Sequence, residues 1–467
     1  MRLAPGTLAM LPEAVGRPGY DRDAQAVGVV HFGLGAFARA HLATYCDAAM
    51  QAGERDWMIA GVSLRSADVA QQLNPQGGLY TLSEQGEQGT ARRVIGSVRE
   101  VMVASEQRER IVAAIAAPSC RIVTFTVTEK GYCRAPDGTL DKAAAETSFY
   151  PLLTEGLARR KAAGLPGLTL LSCDNLAQNG QQLRSLLDQY LSGGLRDWFA
   201  AHCATPCTMV DRIVPATAPA DLDACASKLG LRDEGAVFAE PFSQWVIEDA
   251  FAGPRPRWEK HGVEIVSDVT PYETAKLRML NGAHSLLAYA GLARGHDFVH
   301  QAIADPWLQP LAERLMRDEA APTVKPARGQ SLNDYTDALL QRFGNPATGH
   351  RLAQIAMDGS QKIPQRWLPV LAEARVPCPA TLTGIAAWLV HVEHTSELHD
   401  PLAEPLRAAM RYGRDITGQL DAIFGPDGLM QSGWRPSRLD IAFIEATMTQ
   451  LRAAASAPDR TAGAASR

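Results

Sequence analysis

The sequence lacks any long hydrophobic run. No apolar stretch reaches the ~18 residues that a membrane-spanning helix needs, and the N-terminal apolar stretch is short and broken by Pro and Glu. The sequence therefore predicts neither a transmembrane helix nor a signal peptide. A basic block is also absent, and the net charge is −5. This argues against nucleic acid or an anionic membrane as the main partner.

Cysteine is sparse and scattered. Of the eight cysteines only Cys203 and Cys207 lie close together, and no His cluster stands nearby at zinc-ligand spacing. We therefore expect reduced, mostly buried thiols in a cytoplasmic protein. His391 and His394 could share one helical face, with His399 just beyond. A polar helix end explains this trio more simply, so no metal site is predicted.

The composition is that of an ordinary globular protein, with 467 residues, 46% apolar and 21% charged. This length suits two or three domains with large cores. Short apolar runs alternate with helical patterns up to about residue 266, and helical periodicity then dominates. We predict an α/β Rossmann-type parallel-sheet domain over 1–268 and a mainly helical domain over 269–467. The small, polar residues after about 453 are expected to be disordered.

A glycine motif follows the first predicted strand. The run from Ala26 to Phe32 suits a buried parallel strand, and a helix is predicted from Arg39. Between them stands G-x-G-x-x-A, which lets backbone N–H groups approach a pyrophosphate at a helix N-terminus. A tight βα turn without a ligand would look the same. The predicted cofactor-binding residues of this motif are Gly33, Gly35, Ala36, Phe37 and Arg39.

The second predicted strand, 57–64, ends where a dinucleotide-binding protein holds the adenosine ribose. Asp68 could bind the ribose hydroxyls of NAD, whereas Arg65 could bind the 2′-phosphate of NADP. The residues alone leave the two cofactors open.

Further elements complete the α/β half. Strands are predicted at 120–127, 168–173, 208–214, 238–245 and 263–266, a helix at 142–163, and an inserted hairpin from segments 79–82 and 93–98. Ligand contacts are expected in the segment from Thr128, where the strand 120–127 ends. The strand 168–173 ends in Asp174-Asn175. Asp211 and Arg212 lie within an apolar run, and we expect them to pair because buried charges are costly.

The stretch from Pro271 combines a helical pattern with polar residues suited to catalysis. Pro271 suits a first helical turn, and Gly291 and Gly295 mark the expected end. At about 100° per residue, four polar residues fall within an arc of roughly 140° on a regular α-helix. Such residues suit chemistry at a hydroxyl or carbonyl carbon, although a solvated helix face is the simpler interpretation. They are Glu273, Lys276, Asn281 and His284.

Seven segments carry a resemblance to a known family: VVHFGLGAFARAH, VTEKGYC, LSCDNLAQNG, TMVDRIVPAT, EPFSQWVIED, PYETAKLRMLNGAHS and QIAMDGSQKIPQR. Together they resemble the polyol-specific long-chain dehydrogenases of the mannitol dehydrogenase family. The resemblance spans about residues 20 to 450 and is strongest, within that family, to the fructuronate reductases (D-mannonate oxidoreductases). One departure is that Ala38 stands where the family usually has His.

The resemblance implies a role for each matching residue. Lys276 would be the general acid/base, Asn175 and Asn281 would bind the reacting oxygen, and His284 would orient the substrate. Glu273 would lie on the proton path to solvent. Asp211 and Lys362 would line the substrate pocket.

The resemblance also implies a metal-independent enzyme that reduces D-fructuronate to D-mannonate with NADH. Mannitol 2-dehydrogenase, a related polyol or tagaturonate dehydrogenase, and a non-catalytic NAD(H)-binding sensor remain alternatives. Tyr272 and Lys276 also match the Tyr-x-x-x-Lys pattern of short-chain dehydrogenases, but those chains are about half this length, so Tyr272 is interpreted as a packing residue. The expected partner is a small sugar acid or polyol, and many members of the family work as monomers.

Lys362 and Arg366 stand four residues apart and would share a face of a helix, unless Pro364 breaks it. Two solvated surface charges are one interpretation. A pocket for a carboxylate is the other, which predicts a sugar acid rather than a neutral polyol as substrate.

Overall fold

The computed structural model describes residues 1–86, 88–413 and 415–455. It divides into two compact units, Met1–Thr270 and Pro271–Arg467. The last described helix continues to Ala455, and the rest of the tail predicted to be disordered lies outside the described residues. No helix in the described ranges is long and apolar enough to cross a membrane.

The main sheet of the first unit has five parallel strands, which lie side by side in the order Val98–Val103, Met58–Ser63, Val27–Phe32, Ile122–Phe125 and Thr169–Ser172. The predicted Rossmann-type sheet is therefore confirmed. Its strands are buried along most of their length, as expected for a parallel sheet covered on both faces. They are β1 (Val27–Phe32), β2 (Met58–Ser63), β5 (Val98–Val103), β6 (Ile122–Phe125) and β7 (Thr169–Ser172).

Two smaller sheets belong to the same unit. The predicted hairpin is present as an antiparallel pair, and a third strand joins it in parallel. The other sheet has the order β11-β10-β8. The strands are β3 (Tyr80–Gly86), β4 (Gly89–Ile95), β8 (Thr208–Asp211), β9 (Val237–Ala239), β10 (Gln244–Glu248) and β11 (Glu264–Val266).

The helix expected over 142–163 is wrong as a single element, because the structure has two helices, Lys142–Ala145 and Tyr150–Ala162. Pro151 stands in the first turn of the second helix, where its missing N–H costs nothing. In the interior of one long helix it would remove a backbone hydrogen bond and break the helix. The helices of the first unit are α1 (Ala36–Ala40), α2 (Leu42–Gln51), α3 (Asp68–Leu73), α4 (Arg108–Ala116), α5 (Thr128–Gly131), α6 (Lys142–Ala145), α7 (Tyr150–Ala162), α8 (Asn179–Tyr190), α9 (Gly193–His202) and α10 (Pro219–Leu229).

The expected pairing of Asp211 with Arg212 is also wrong. The buried Arg212 guanidinium forms an ion pair with Glu84 and donates to the carbonyls of Ala40 and Glu240. Side chains of successive residues in an extended chain point to opposite sides, so adjacent charges at a strand end do not meet.

The second unit is helical, and no strand occurs in its described residues. A central helix, Gly282–Ala293, is buried on nearly all sides and packs on the helices Pro379–His394 and Arg438–Ala455. The helices of the second unit are α11 (Thr270–Ala275), α12 (Gly282–Ala293), α13 (Val299–Ala304), α14 (Leu308–Arg314), α15 (Leu332–Gly344), α16 (Leu352–Ile355), α17 (Gly359–Arg366), α18 (Leu368–Glu373), α19 (Pro379–His394), α20 (Ala403–Tyr412), α21 (Ile416–Phe424) and α22 (Arg438–Ala455).

Candidate active site

The glycine turn follows β1 at the point where the strand order reverses, since β2 lies on one side of β1 and β6 on the other. Gly33 has a φ of 89°, and a Cβ there would lie 2.2 Å from the Thr126 carbonyl oxygen. Only glycine fits that position. Gly35 precedes α1, and a Cβ there would meet nothing closer than 3.8 Å. A topological switch point with an open glycine turn fits a dinucleotide pyrophosphate.

The turn is held from the protein interior by Arg39. Its guanidinium is buried, donates to the carbonyls of Gly35 and Gly235, and lies over the ring of Tyr80. Arg39 therefore fixes the shape of the turn from behind. Ala38 is fully buried, so the position at which the chain departs from the family pattern belongs to the core.

Both candidate residues for the adenosine end are exposed. Arg65 follows β2 in a loop, and Asp68 begins α3 and accepts a hydrogen bond from the Ser66 hydroxyl at 3.0 Å. Because β1 and β2 are parallel neighbours, these residues lie at the same edge of the sheet as the glycine turn.

Asp174 joins the loops that follow β6 and β7. Its carboxylate accepts hydrogen bonds from the backbone N–H groups of Val127 and Thr128, each at 3.0 Å, and from the Tyr132 hydroxyl at 2.8 Å. Thr128 has a φ of 64°, a strained value for a β-branched residue. Burial raises the pKa of Asp174, and its hydrogen bonds oppose that rise. The network fixes the backbone that carries the exposed Asn175.

Asp211 is buried at the end of β8. The start of β8 is fastened to the main sheet by Asn179, whose amide exchanges hydrogen bonds with the backbone of Thr208 at 2.9 Å in both directions. The Thr208 hydroxyl donates to the carbonyl of Ser172 in β7. These contacts connect the end of β7, which Asn175 follows, to the start of β8, the strand that ends at Asp211.

In the second unit, a π-helical turn over Lys276–Asn281 joins α11 to α12. Lys276 is 9% exposed, whereas Glu273 and Asn281 are partly exposed. The expected arc of roughly 140° assumed a regular α-helix, and that assumption is wrong. The wider π-turn changes which residues align, with Lys276 at its start and Asn281 at its end.

His284 is buried in the first turn of α12. Its ring packs on Phe343 at 4.6 Å and edge-on to His350 at 5.2 Å, measured between ring centroids. Burial, followed by the charges of His350, Arg366 and Arg342, holds the pKa of His284 well below its ordinary value. Its Nε2 atom is buried without a hydrogen-bond partner among the described residues. A neutral imidazole with a bare nitrogen suits recognition of a hydroxyl group.

Lys362 and Arg366 lie on α17, which continues through Pro364 to Arg366. The Lys362 ammonium donates to the carbonyls of Ile355 and Met357, at 3.2 and 2.6 Å. Arg366 Nη1 donates to the Asn281 carbonyl at 3.2 Å and to a serine hydroxyl at 2.8 Å. Burial lowers the pKa of Arg366 to about 10, so the guanidinium stays cationic at neutral pH.

The histidine trio shows no ligand arrangement. His394 Nδ1 bonds the Val390 carbonyl, His391 Nδ1 bonds the Thr395 hydroxyl, and His399 is exposed. Within the described residues no group of three potential metal ligands occurs. All eight cysteines are free thiols, and seven of them are buried.

Several residues of these neighbourhoods carry no recognisable sequence signal. His350 and Phe343 contact the ring of His284 from distant segments of the chain. Trp367 donates a hydrogen bond to the carbonyl of Gly282, which directly follows the π-turn, and the Ser285 hydroxyl accepts one from Arg366. Asp174 could have been singled out, because it directly precedes Asn175 at a strand end.

Comparisons with known proteins match nearly the whole chain. A family model described as the mannitol dehydrogenase Rossmann domain matches residues 27–260, and one described as the mannitol dehydrogenase C-terminal domain matches 268–420. The chain is 41% identical to the D-mannonate oxidoreductase of Escherichia coli over 82% of this chain and 83% of that protein. It is 37% identical to the mannitol 2-dehydrogenase of Pyrenophora tritici-repentis, over 88% and 78%.

A solved structure is similar to nearly the whole chain. The mannitol 2-dehydrogenase of Pseudomonas fluorescens, in a ternary complex with NAD and D-mannitol, has a TM-score of 0.82 at 34% identity. The match covers 97% of each chain.

Proposed function

The chain belongs to the mannitol dehydrogenase family, and from that membership we propose that it reduces D-fructuronate to D-mannonate with NADH. The family-level activity, NAD-dependent oxidation and reduction of polyols or sugar acids, follows from the match over both domains. The sugar-acid substrate rests on one observation. Arg366 is a cation whose hydrogen bonds to the described residues go to a carbonyl and a hydroxyl, and none goes to a carboxylate.

An unpaired cation in a partly buried position is costly unless a ligand compensates its charge. A substrate carboxylate supplies that charge, and a neutral polyol does not. Arg366 and Lys362 lie in α17; the charge of Arg366 helps to lower the pKa of His284, and the charge of Lys362 helps to lower the pKa of His350. In the proposal His284 orients the sugar, Asp211 and Lys362 line the pocket, and Arg366 adds a positive charge.

The reaction adds a hydride to the ketone carbon and a proton to its oxygen. When bound, the reduced nicotinamide supplies the hydride. Asn175 and Asn281 donate hydrogen bonds to the oxygen as it gains negative charge. Lys276 delivers the proton, and Glu273 returns a proton to Lys276 from solvent. The cofactor is NAD, with the turn of Gly33, Gly35, Ala36 and Phe37 binding its pyrophosphate.

Mannitol 2-dehydrogenase is the second candidate, because proteins of that name match the chain at similar identity. NADH oxidation with a panel of ketoses and keto-uronates separates the two. Absence of turnover with every compound, together with tight NADH binding, would instead indicate a non-catalytic NAD(H) sensor.

We expect kcat/KM for D-fructuronate at least ~10-fold above that for D-fructose, equivalent to ~1.4 kcal/mol. The reason is that a charge-assisted hydrogen bond to a carboxylate is worth ~1.5–3 kcal/mol. Lys362→Met should reduce this preference more than it reduces fructose turnover. The exposed Lys325 provides the matched control, Lys325→Met. Equal or better use of fructose by the unmodified protein moves the assignment to mannitol 2-dehydrogenase.

We also expect NADH to be preferred over NADPH, measured as kcat/KM at saturating ketone. In this proposal Asp68, rather than Arg65, binds the adenosine ribose, as in NAD-specific dinucleotide sites. Asp68→Ala should then weaken NADH use and Arg65→Ala should not. A preference of the unmodified protein for NADPH would show that Arg65 binds the 2′-phosphate at the adenosine ribose and so determines which cofactor is used.

A further inference from the structure

The π-turn aligns two residues that a regular helix would hold apart. In an α-helix, residues five positions apart differ by about 140° around the axis. A π-turn closes its hydrogen bonds between residues five apart, so residues at that spacing come nearly into line. Lys276 begins this turn and Asn281 ends it. The turn therefore brings the proposed proton donor and one proposed oxygen-binding amide towards the same face.

Two side chains donate hydrogen bonds at the end of the turn, where the chain returns to α-helical geometry. Trp367 Nε1 donates to the carbonyl of Gly282 at 3.1 Å. Arg366 Nη1 donates to the carbonyl of Asn281 at 3.2 Å, and Ser285 orients that Nη1 by accepting at 2.8 Å. A carbonyl has two lone pairs, so each can accept such a bond in addition to a helical one.

The indole that donates to Gly282 is rigidly held. Trp367 is fully buried, and a Cβ at Gly384 would lie 2.8 Å from its ring. Gly282, which accepts the indole hydrogen bond, also packs closely on Leu315, because a Cβ at Gly282 would lie 3.3 Å from that side chain. Leu315 begins a second π-turn, Leu315–Ala320, which packs on the first. The donor and the turn are thus both fixed by packing.

We propose that Trp367 and Arg366 are positioning residues, which hold the π-turn in the shape that aligns Lys276 with Asn281. This inference rests on the proposed function, because it assigns those two residues to the reaction. It adds Trp367, a residue outside every recognised motif, to the determinants of turnover. Arg366 then acts through its Nη1 on the turn, while its charge remains available to the substrate.

Trp367→Phe tests the inference because it keeps an aromatic ring and removes the N–H donor. We expect kcat to fall about 10-fold or more, since a misplacement of ~1 Å can cost ~10²-fold in rate. KM for the ketone and Kd for NADH should stay within about threefold, because Trp367 is not proposed to contact either ligand and Asn281 is proposed to act mainly as the oxygen gains negative charge. The deuterium isotope effect on kcat with 4-deuterated NADH should rise as hydride transfer becomes slower than product release.

Trp434→Phe is the matched control. Trp434 is buried in the same core and packs edge-on to Phe424 at 5.3 Å. The Trp434→Phe substitution removes the same ring volume from this core but does not change a contact of the π-turn. The melting temperature of this variant should therefore fall about as much as that of Trp367→Phe. Its kcat and its isotope effect should stay unchanged. Equal kinetics of the two variants would overturn the inference. So would a crystal structure of Trp367→Phe in which the turn, Lys276 and Asn281 keep their positions.

If Trp367→Phe does not fold, Arg366→Lys replaces it, because lysine keeps the charge but lacks the planar fork. A fall in kcat with D-fructose, which has no carboxylate, would support the positioning role, and unchanged kcat would overturn it. Failure of the proposed function looks different. In that case the unmodified protein reduces no ketone, or Lys276→Ala turns over normally, whereas failure of the inference alone leaves Lys276 essential and Trp367→Phe fully active.

Discussion

Lys276→Ala is expected to lower kcat by ~10² or more, the scale for loss of a general acid/base. Lys276 is nearly buried at the start of the π-turn, and the alkoxide formed by hydride transfer would lose its proton donor. Steady-state kinetics of NADH-dependent ketone reduction give kcat, and fluorescence titration gives Kd for NADH. That Kd should barely change, because Lys276 is proposed to transfer a proton to the ketone oxygen, whereas the glycine turn is proposed to bind the cofactor.

Two further variants make this result specific. Lys276→Arg keeps a positive charge but cannot release its proton near neutral pH, so it should be nearly as slow as the alanine variant. Lys325→Ala removes an exposed lysine from the same unit and should behave like the unmodified protein. Turnover close to normal in either Lys276 variant would remove Lys276 from the mechanism.

The N-terminal fold could be predicted because its signals are local. Four strands of the main sheet are short, mostly apolar runs that are buried nearly throughout, and the glycine turn follows the first of them. The fifth strand, β5, was not predicted, because Arg99 and Glu100 interrupt its apolar pattern.

The break in the helix predicted over 142–163 was a local signal, Pro151, that was missed. The pairing of Arg212, in contrast, depends on a distant residue. Arg212 pairs with Glu84, which lies on another sheet and 128 residues away in sequence. No pattern near Arg212 could have indicated that partner.

The π-turn shows the same limit at the candidate site. Leu277 and Leu280 fit an α-helical pattern of apolar residues. The spacing of apolar residues in a sequence does not reveal a single π-helical turn within such a helix. What stabilises the widened turn comes from elsewhere in the chain, through the indole of Trp367 and the packing of Leu315. The residue types on the helix could be read from the sequence, but their alignment could not.

Replacing either Asn175 or Asn281 should lower kcat about as much as replacing Lys276. Asn175→Ala and Asn281→Ala are each expected to lower kcat by ~10²–10³, the effect of removing one donor from an oxyanion site. Asn175 has the better-supported backbone, because Asp174 fixes its loop through Val127 and Thr128. The measurement is kcat with D-fructuronate at saturating NADH, and the exposed Asn333→Ala is the control.

Asn175→Asp distinguishes hydrogen-bond donation from a structural role of that amide. Aspartate has nearly the same shape, but its ionised carboxylate accepts hydrogen bonds only and repels the developing alkoxide. We therefore expect it to be at least as slow as Asn175→Ala, with an unchanged melting temperature. Because the two amides are proposed to serve one oxygen, the double alanine variant should lose less than the product of the single losses. Independent, multiplying losses would show that Asn175 and Asn281 act on different groups, and an active Asn175→Asp would assign the oxygen to Asn281 alone.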